Sequence, residues 1–511
     1  MRIALRVDAS VEMGIGHLKR CLSLAEALRS TGADPLFVTR DLGLDVGDFI
    51  RRHGDFAVRR LPAPLNAISV DHHAESHTDW AGVAWQQDAE ETLEQVRECE
   101  CAWLLIDSYA FDARWHRHVG NELGVRVAAI DDLADRPMAV ALLIDHNLAS
   151  DHHQKYRSSL EYPCRILGGP RFALLGKTFA SARRYRFSDE VRSIGVFLGG
   201  TDPASLTQSV IDSCRRLAGF TGPIEIATTS ANPALASLRV LCAEVENLSL
   251  CIDQPDLTGF FSRHDLQIGA GGGACWERCC IGAPSITLVT AVNQIAVVEM
   301  LGIAGASAVL PKGHLPTSEA IGEMVRNLLN DVRRRRSLHE NALGLVDGRG
   351  AQRVALAMAA SNLRVRTATV DDAELVYRWR NHESTRSVSR DSSPIPWSTH
   401  QSWFDKVLVD ARRRVLVGQV GEMPVGVFRF DELRERGAIE VSLFLDPELH
   451  GLGLGTALIR AAHADWEQSV GRGESFVATV SESNFASQNL FRSAGYQFQN
   501  PVWRRPVARH S

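Results

Sequence analysis

The sequence has no uninterrupted apolar run near the roughly 20 residues that a membrane-spanning helix requires. Its first residues, MRIALRVDAS, carry an Arg and an Asp where a signal peptide would stay apolar. Neither a membrane span nor a secretory leader is expected, and the expected location is the cytoplasm. Excess positive charge is also missing: Lys and Arg number 56 against 61 Asp and Glu, a formal net charge of −5. That balance does not suit a protein that binds nucleic acid by neutralising many phosphates. Cysteine is thin and unpaired, because the 10 thiols, from Cys21 to Cys280, show no CxxC spacing. Neither a zinc site nor a disulfide framework is expected from them. Internal repeats and low-complexity tracts are absent too. What remains is an ordinary globular composition, 45% hydrophobic and 23% charged over 511 residues, enough for about three domains at roughly 100–200 residues each.

The chain opens on a strand, a glycine loop and a helix. Residues 3–7 are apolar, VDASVEMGIGH is a loop of small residues, and Leu18, Cys21, Leu22, Ala25 and Leu28 then recur at helical spacing. Further apolar runs at 35–38, 102–106, 125–130 and 141–144 alternate with polar or helical stretches, as a parallel α/β sheet requires. The basic segment SARRYRFSDEVR reads as an irregular link. After it, SIGVFLGGTDP begins a second alternation, with strands expected at 223–227, 248–252, 266–268, 284–289 and 306–310. From Leu363 the character changes. Strand candidates at 414–420, 423–430 and 438–445 follow one another across short turns, which predicts an antiparallel meander. The expected fold is α/β, two Rossmann-like lobes at 1–187 and 188–362, followed by an α+β domain at 363–511.

Two constellations carry chemistry in the lobes. Gly14, Gly16 and His17 stand where the first strand meets the first helix. Glycines there let backbone approach a ligand, the helix N-terminus favours an anion, and a His can serve as a general base. A tight loop capped by an imidazole is the plainer alternative. In the second lobe, IGAGGGACWERCCIGAPSITLVTAVNQ places Gly269, Gly271, Gly272 and Gly273 between a strand and a helix that carries Glu277. Backbone amides could hold a pyrophosphate while the carboxylate accepts from ribose hydroxyls. Asn293 and Gln294 fall just past the next strand, on the same edge. A tightly packed connector with Glu277 in solvent is the alternative. The carboxylates Asp131, Asp132 and Asp135 have no His in helical register beside them and read as capping and solvated loop residues, and the pairs His72-His73 and His152-His153 lack a third ligand at useful spacing, so no metal is expected.

The ordered set RVDASVEMGIGHLKRCLSLAEAL, LLIDSYAFDARW, AAIDDLADRP, FLGGTDP, GAGGGACWERCCIGAPS, VNQ and VDGRGAQRV resembles the PseG-type UDP-sugar hydrolases of pseudaminic acid biosynthesis. The resemblance runs from residue 1 to about 360. It implies a GT-B arrangement similar to that of MurG, and removal of UDP from UDP-2,4-diacetamido-2,4,6-trideoxy-β-L-altropyranose by water attack, with inversion and without a metal. Carried over by motif, His17 would be the base, Asn293 its support and Tyr109 a residue at the sugar. The family often has His where this chain has Ser108.

In the last domain, His450-Gly451-Leu-Gly453-Leu-Gly455-Thr456 follows the apolar strand IEVSLFL and opens the helix ALIRAAHADW. Successive amides at such a turn can wrap a pyrophosphate, although a tight connection would look the same. With FVATV, Asn484 and LFRSAGY after it, the order resembles a GNAT-type N-acetyltransferase whose loop holds acetyl-CoA. The start TATVDDAELVYRWRNHESTR resembles the PseH-like branch, which acetylates the 4-amino group of a UDP-linked amino sugar. His450 stands where Gln or Arg usually opens the loop, and Phe491 stands where a Tyr commonly protonates the thiolate, leaving water or Tyr496 for that role. Glu440 is the candidate base, an exposed strand Glu being the alternative. Arg378, Trp379 and Arg380 are candidates for the acceptor side, Trp379 with core packing as its alternative. Together the resemblances imply consecutive steps on one nucleotide sugar, with acetyl-CoA as donor. A glycosyltransferase fused to an acetyltransferase, or a nucleotide-sugar and CoA sensor, stays open on the residues alone.

Overall fold

The computed structural model describes every residue except 11–12, 65–76, 183, 312–315, 390, 434–437, 471–474, 500–501 and 507–511, and describes backbone alone at 78, 502 and 504–506. His72 and His73 lie outside the described residues. The chain divides into two compact units, one of Arg2–Ala27 with Pro35–Gln352, the other of Arg353–Ser511 with Met1 and Leu28–Asp34.

The first unit holds two parallel sheets. In the first, β1 (Arg2–Val7), β2 (Asp34–Arg40), β3 (Ala57–Leu61), β4 (Cys101–Asp107), β5 (Arg126–Ile130), β6 (Leu142–Asp145) and β7 (Arg165–Gly168) take the order β3-β2-β1-β4-β5-β6-β7. In the second, β8 (Ile194–Phe197), β9 (Ile224–Thr228), β10 (Leu248–Ile252), β11 (Leu266–Ala270), β12 (Ser285–Leu288) and β13 (Ala308–Val309) take the order β10-β9-β8-β11-β12-β13. The central strands are continuous apolar runs because helices cover both faces. The edge strands β3 and β7 escape that pattern: AVRRL is exposed at Ala57, Arg59 and Arg60, and RILG is only four residues long. The segment expected to be a link is irregular but not loose. Tyr185 is buried in the second lobe's core with Phe260, Trp276 and Leu301, and its hydroxyl donates to Asp265 at 3.0 Å. Arg184 is tied to the Cys280 and Asp347 carbonyls.

The first lobe buries charge as well as carbon. Arg6 and Arg40 are wholly enclosed and converge on Asp88, whose carboxylate also accepts from the indole of Trp115 at 3.1 Å. Burial pushes the Asp88 carboxyl up, but Arg6 and then Arg40 outweigh it and hold it below the ordinary range. All ten cysteines are free thiols.

The second unit carries the third sheet: β14 (Arg364–Thr367), β15 (Arg413–Val420), β16 (Met423–Leu433), β17 (Ala438–Leu445), β18 (Ser475–Ala478), β19 (Gln497–Gln499) and β20 (Val502–Pro506), in the order β14-β15-β16-β17-β18-β20-β19. Strands β14 to β17 form the expected antiparallel meander, and β17 then pairs with β18 in parallel. The fold is therefore two parallel-sheet, Rossmann-like lobes followed by a mixed-sheet α+β domain. Among the described residues no helix is long and apolar enough to cross a membrane.

Two stability tests follow from the buried groups. Asp88→Asn takes the shared carboxylate from two enclosed guanidiniums, which keep Asp8 and Glu91 as counter-charges, and should cost about 1.5–3 kcal/mol in urea unfolding. Burial holds His116 down at about 3 and His146 at about 4, whereas an unfolded imidazole titrates near ~6.5. The unfolded chain then takes up protons first, so stability should be flat above pH ~6.5 and fall as pH drops toward ~4. The thermal midpoint should track that window, and His116→Gln should flatten it.

Candidate active sites

In the first sheet the chain order reverses beside β1, which lies between β2 and β4, so the loops leaving β1 and β4 part and open a crevice at their carboxyl ends. Val7 and Asp107 are register partners at those ends. The loop after β1 turns at Gly14 (φ +72°), whose N–H reaches the Ser10 carbonyl at 2.9 Å, and the helix Gly16–Ser30 then carries His17 in its first turn. His17 Nδ1 lies 2.7 Å from Asp107 Oδ1, and Arg20 donates to both oxygens of the same carboxylate at 2.5 and 2.6 Å. Burial pushes the wholly enclosed Asp107 carboxyl up, but Arg20 and then His17 hold it far below the ordinary range. An ionised carboxylate only accepts, so the shorter contact, 2.7 Å to Asp107 against 3.0 Å to the donor-only Arg20 Nη2, puts the proton on Nδ1 and leaves Nε2 as the basic nitrogen.

Tyr109, from the loop after β4, sets its ring edge-on to His17 at 4.9 Å. Its hydroxyl donates to Asp132 Oδ1 at 2.5 Å, and burial with the Asp132 charge pushes the phenol well up, so it stays protonated. His77 and Trp80 complete an aromatic wall, 5.3 and 5.8 Å from the Tyr109 ring. Ser108 is buried and accepts the Ala110 N–H at 3.2 Å. The acidic loop is occupied by its own backbone and neighbours. Asp131 accepts from Leu133, Ala134 and Arg136, while Asp135 pairs with Arg136. His152 Nε2 lies 3.0 Å from the Asn147 carbonyl. Among the described residues no group of three or more His, Cys, Asp or Glu is placed to hold a metal.

The second sheet repeats the reversal at β8, between β9 and β11, which brings the loops at Gly199-Gly200 and Gly271–Gly273 to one edge. The glycines there divide by role. A Cβ on Gly269 would lie 2.7 Å from the Phe197 carbonyl, and one on Gly271 would lie 2.3 Å from Val298 Cγ2, so packing explains both. Gly272 and Gly273 have open space, their nearest neighbour being Gln294 Nε2, 3.8 Å from a Cβ on Gly272. Gln294 is an organiser of the loop: its side-chain carbonyl accepts from the Gly271 N–H at 3.2 Å and from both Thr290 donors at 3.0 Å. Asn293 beside it is exposed. Glu277 is half-buried on the helix Ala274–Ile281, its carboxyl raised by burial against the opposing pull of Lys19. Asn147 accepts from the Trp276 indole at 3.0 Å, joining that helix to the first lobe.

In the second unit the pairing of β17 with β18 ends at Glu440, where Thr479 donates to Glu440 Oε1 at 3.2 Å. A cavity of about 350 Å³ lies there, lined by Glu440, Asp431, Trp403, Arg412, Arg413 and Arg429. Gly451 and Gly453 take left-handed φ of +81° and +73°, and the helix Leu454–Ser469 starts from them with Gly455 and Thr456 in its first turn. A Cβ on Gly455 would lie 3.1 Å from Leu490, so that glycine serves close helix packing. Asn484 caps the helix Phe485–Ser493 by accepting the Ser487 N–H at 3.0 Å. Tyr496 is buried with its hydroxyl 2.9 Å from His463 Nε2. Trp379 is core, packed with Val376 and Phe404, whereas Arg378 is exposed and Arg380 reaches the Asp391 carbonyl at 3.3 Å.

Residues 362–497 match the family described as Acetyltransferase (GNAT) domain. The lobes are similar to the spore coat polysaccharide biosynthesis protein SpsG of Bacillus subtilis, 22% identical over 69% of this chain and 96% of that protein. They are also similar to the UDP-2,4-diacetamido-2,4,6-trideoxy-beta-L-altropyranose hydrolase of Campylobacter jejuni, 24% identical over 58% of this chain and 93% of that protein. An uncharacterized protein of Methanocaldococcus jannaschii, MJ1062, is 19% identical over 97% of both chains.

The division of the glycines is open to test by calorimetry. Gly271→Ala should lower the thermal midpoint, overpacking costing about 1–3 kcal/mol. Gly273→Ala should leave it unchanged, because φ there is already −49° and no atom lies within 4 Å of the added carbon.

Proposed function

We propose that this chain performs two consecutive steps on one UDP-linked amino sugar in the cytoplasm. In this reading residues 363–511 transfer an acetyl group from acetyl-CoA to the 4-amino group of UDP-4-amino-4,6-dideoxy-β-L-AltNAc. Residues 1–187 and 188–362 then hydrolyse UDP-2,4-diacetamido-2,4,6-trideoxy-β-L-altropyranose. The observation that carries the hydrolase half is the His17–Asp107 pair in the crevice between β1 and β4, 2.7 Å apart with Nε2 left basic. Water gives a proton to Nε2 as its oxygen bonds to the anomeric carbon. The bond from that carbon to the UDP oxygen breaks on the opposite face, which inverts the centre. UDP departs with its own charge, so amide donors at Gly272 and Gly273 suffice to favour departure. Gly14 and Gly16 let the sugar approach the first helix, Tyr109 and Asn293 border it, and Glu277 accepts from the ribose.

In the acetyltransferase half, amides at Gly451, Gly453 and Gly455, with Thr456 and Asn484, hold the pyrophosphate arm of acetyl-CoA. Glu440 takes the proton from the attacking ammonium, directly or through water. Phe491 has no proton to give and Tyr496 is engaged by His463, which leaves water to protonate the CoA thiolate. The name of the Campylobacter jejuni relative supports the sugar, and the GNAT match supports the acyl donor.

Incubation with acetyl-CoA and the 4-amino UDP-sugar should release CoA, then UDP and the free diacetamido sugar, all read by mass spectrometry. UDP release that waits on a sugar or lipid acceptor would sink the hydrolase in favour of a glycosyltransferase. His17→Ala should slow UDP release by roughly 10²–10⁴-fold and leave CoA release intact.

A further inference from the structure

We infer that Trp276, in the second lobe, positions the catalytic His17–Tyr109 pair of the first lobe through Asn147 and Asp132, so that docking of the two lobes sets the direction of the base. The inference rests on reading His17 as the base of the hydrolase. The path is continuous. Trp276 Nε1 donates to Asn147 Oδ1 at 3.0 Å, Asn147 Nδ2 donates to Asp132 Oδ2 at 2.8 Å, and Tyr109 donates to Asp132 Oδ1 at 2.5 Å. The Tyr109 ring then meets the His17 ring edge-on at 4.9 Å, and Nδ1 of that ring meets Asp107 at 2.7 Å.

Each bond in the path has one permitted direction. An indole only donates and an ionised carboxylate only accepts. Burial pushes the Asp132 carboxyl up, but Arg20 leads the charges and hydrogen bonds that hold it below its ordinary range, so it stays ionised. The Asn147 amide must therefore face Asp132 with nitrogen and Trp276 with oxygen, and a flip would break both bonds. Such a chain has a single arrangement, and it is high-stakes because Trp276 and Tyr109 are buried at 1% and 4% exposure.

The anchoring of Asn147 separates this role from plain folding. Its backbone N–H is held by Asp145 at 2.9 Å, and Asp145 is held by Lys155 at 2.7 Å, independently of the amide side chain. Removing the side chain thus interrupts the path and leaves the loop fixed. Trp276 sits on the helix that begins directly after Gly273 and close to Gln294, which clamps Gly271. The loop proposed to hold the leaving UDP and the base proposed to activate water accordingly share one rigid connection. A lobe that has not docked would leave the Asn147 oxygen without its indole donor and the amide free to turn away from Asp132.

The test uses the full chain with Trp276→Phe, which keeps the bulk and removes only the N–H, and Asn147→Ala. In ligand-free protein the ring ¹⁵N signals of His17 should shift in both variants relative to wild type. Signals that stay put in both overturn the inference, whatever the activity. With the diacetamido UDP-sugar, kcat for UDP release should fall about tenfold in each variant while KM stays within about twofold, the split expected when orientation and not ground-state binding is lost. A fall confined to KM also overturns it. Shifted His17 signals in a protein whose wild type releases no UDP would sink the hydrolase reading and leave the positioning role standing.

Discussion

The candidate hydrolytic site depends on one buried carboxylate. Asp107 ends a central strand, is wholly enclosed, and could not stay ionised there without Arg20 and His17. Because it does stay ionised, it fixes the tautomer of His17 and holds the first turn of the helix Gly16–Ser30 against the end of β4. Everything else in the crevice is arranged around the imidazole so placed. Tyr109 leans on its edge, Trp80 and His77 close the aromatic side, and Arg20 fills the remaining face of the carboxylate. A neutral residue at 107 would take the carboxylate from both the Arg20 guanidinium and the His17 ring.

The same logic runs through the rest of the first lobe. Charges are buried where they are matched, as with Arg6, Arg40 and Asp88, and in the crevice Asp107 and Asp132 are held in the same way by Arg20, His17, Tyr109 and Asn147. The second lobe relies on backbone instead. Its edge is built from glycines, two of them demanded by packing and two left open, with the Gln294 carbonyl gathering three donors to hold the loop. The acetyltransferase-type domain uses a third device, a sheet whose parallel pair ends at Glu440 beside a cavity with arginines on its wall.

Much of the fold was legible in the sequence because central parallel strands are continuous apolar runs and the meander alternates over short turns. Strands near 102–106, 248–252 and 438–445 fall where hydrophobicity alone puts them. The edges β3 and β7 were not legible, since AVRRL faces water and RILG is too short to show a period. The burial of Tyr185 was not legible for a related reason: a lone aromatic among basic residues gives no sign that it enters a core. Of the candidate site, His17 and Tyr109 stood out through their motifs. Arg20 and Trp80 did not, because their importance comes from what they touch.

By itself the sequence determined the local elements: strand, glycine loop and helix three times over, each with the small residues that let backbone approach an anion. It also determined the chemical inventory, one histidine at a helix start and carboxylates at strand ends. Only the tertiary structure decided which ends meet. Pairing of β1 with β4, and of β8 with β11, joins segments far apart in the chain through backbone hydrogen bonds whose register depends on how whole faces pack. No local pattern encodes that choice. It is the pairing of β1 with β4 that sets His17 against Asp107 and fixes the direction of its ring.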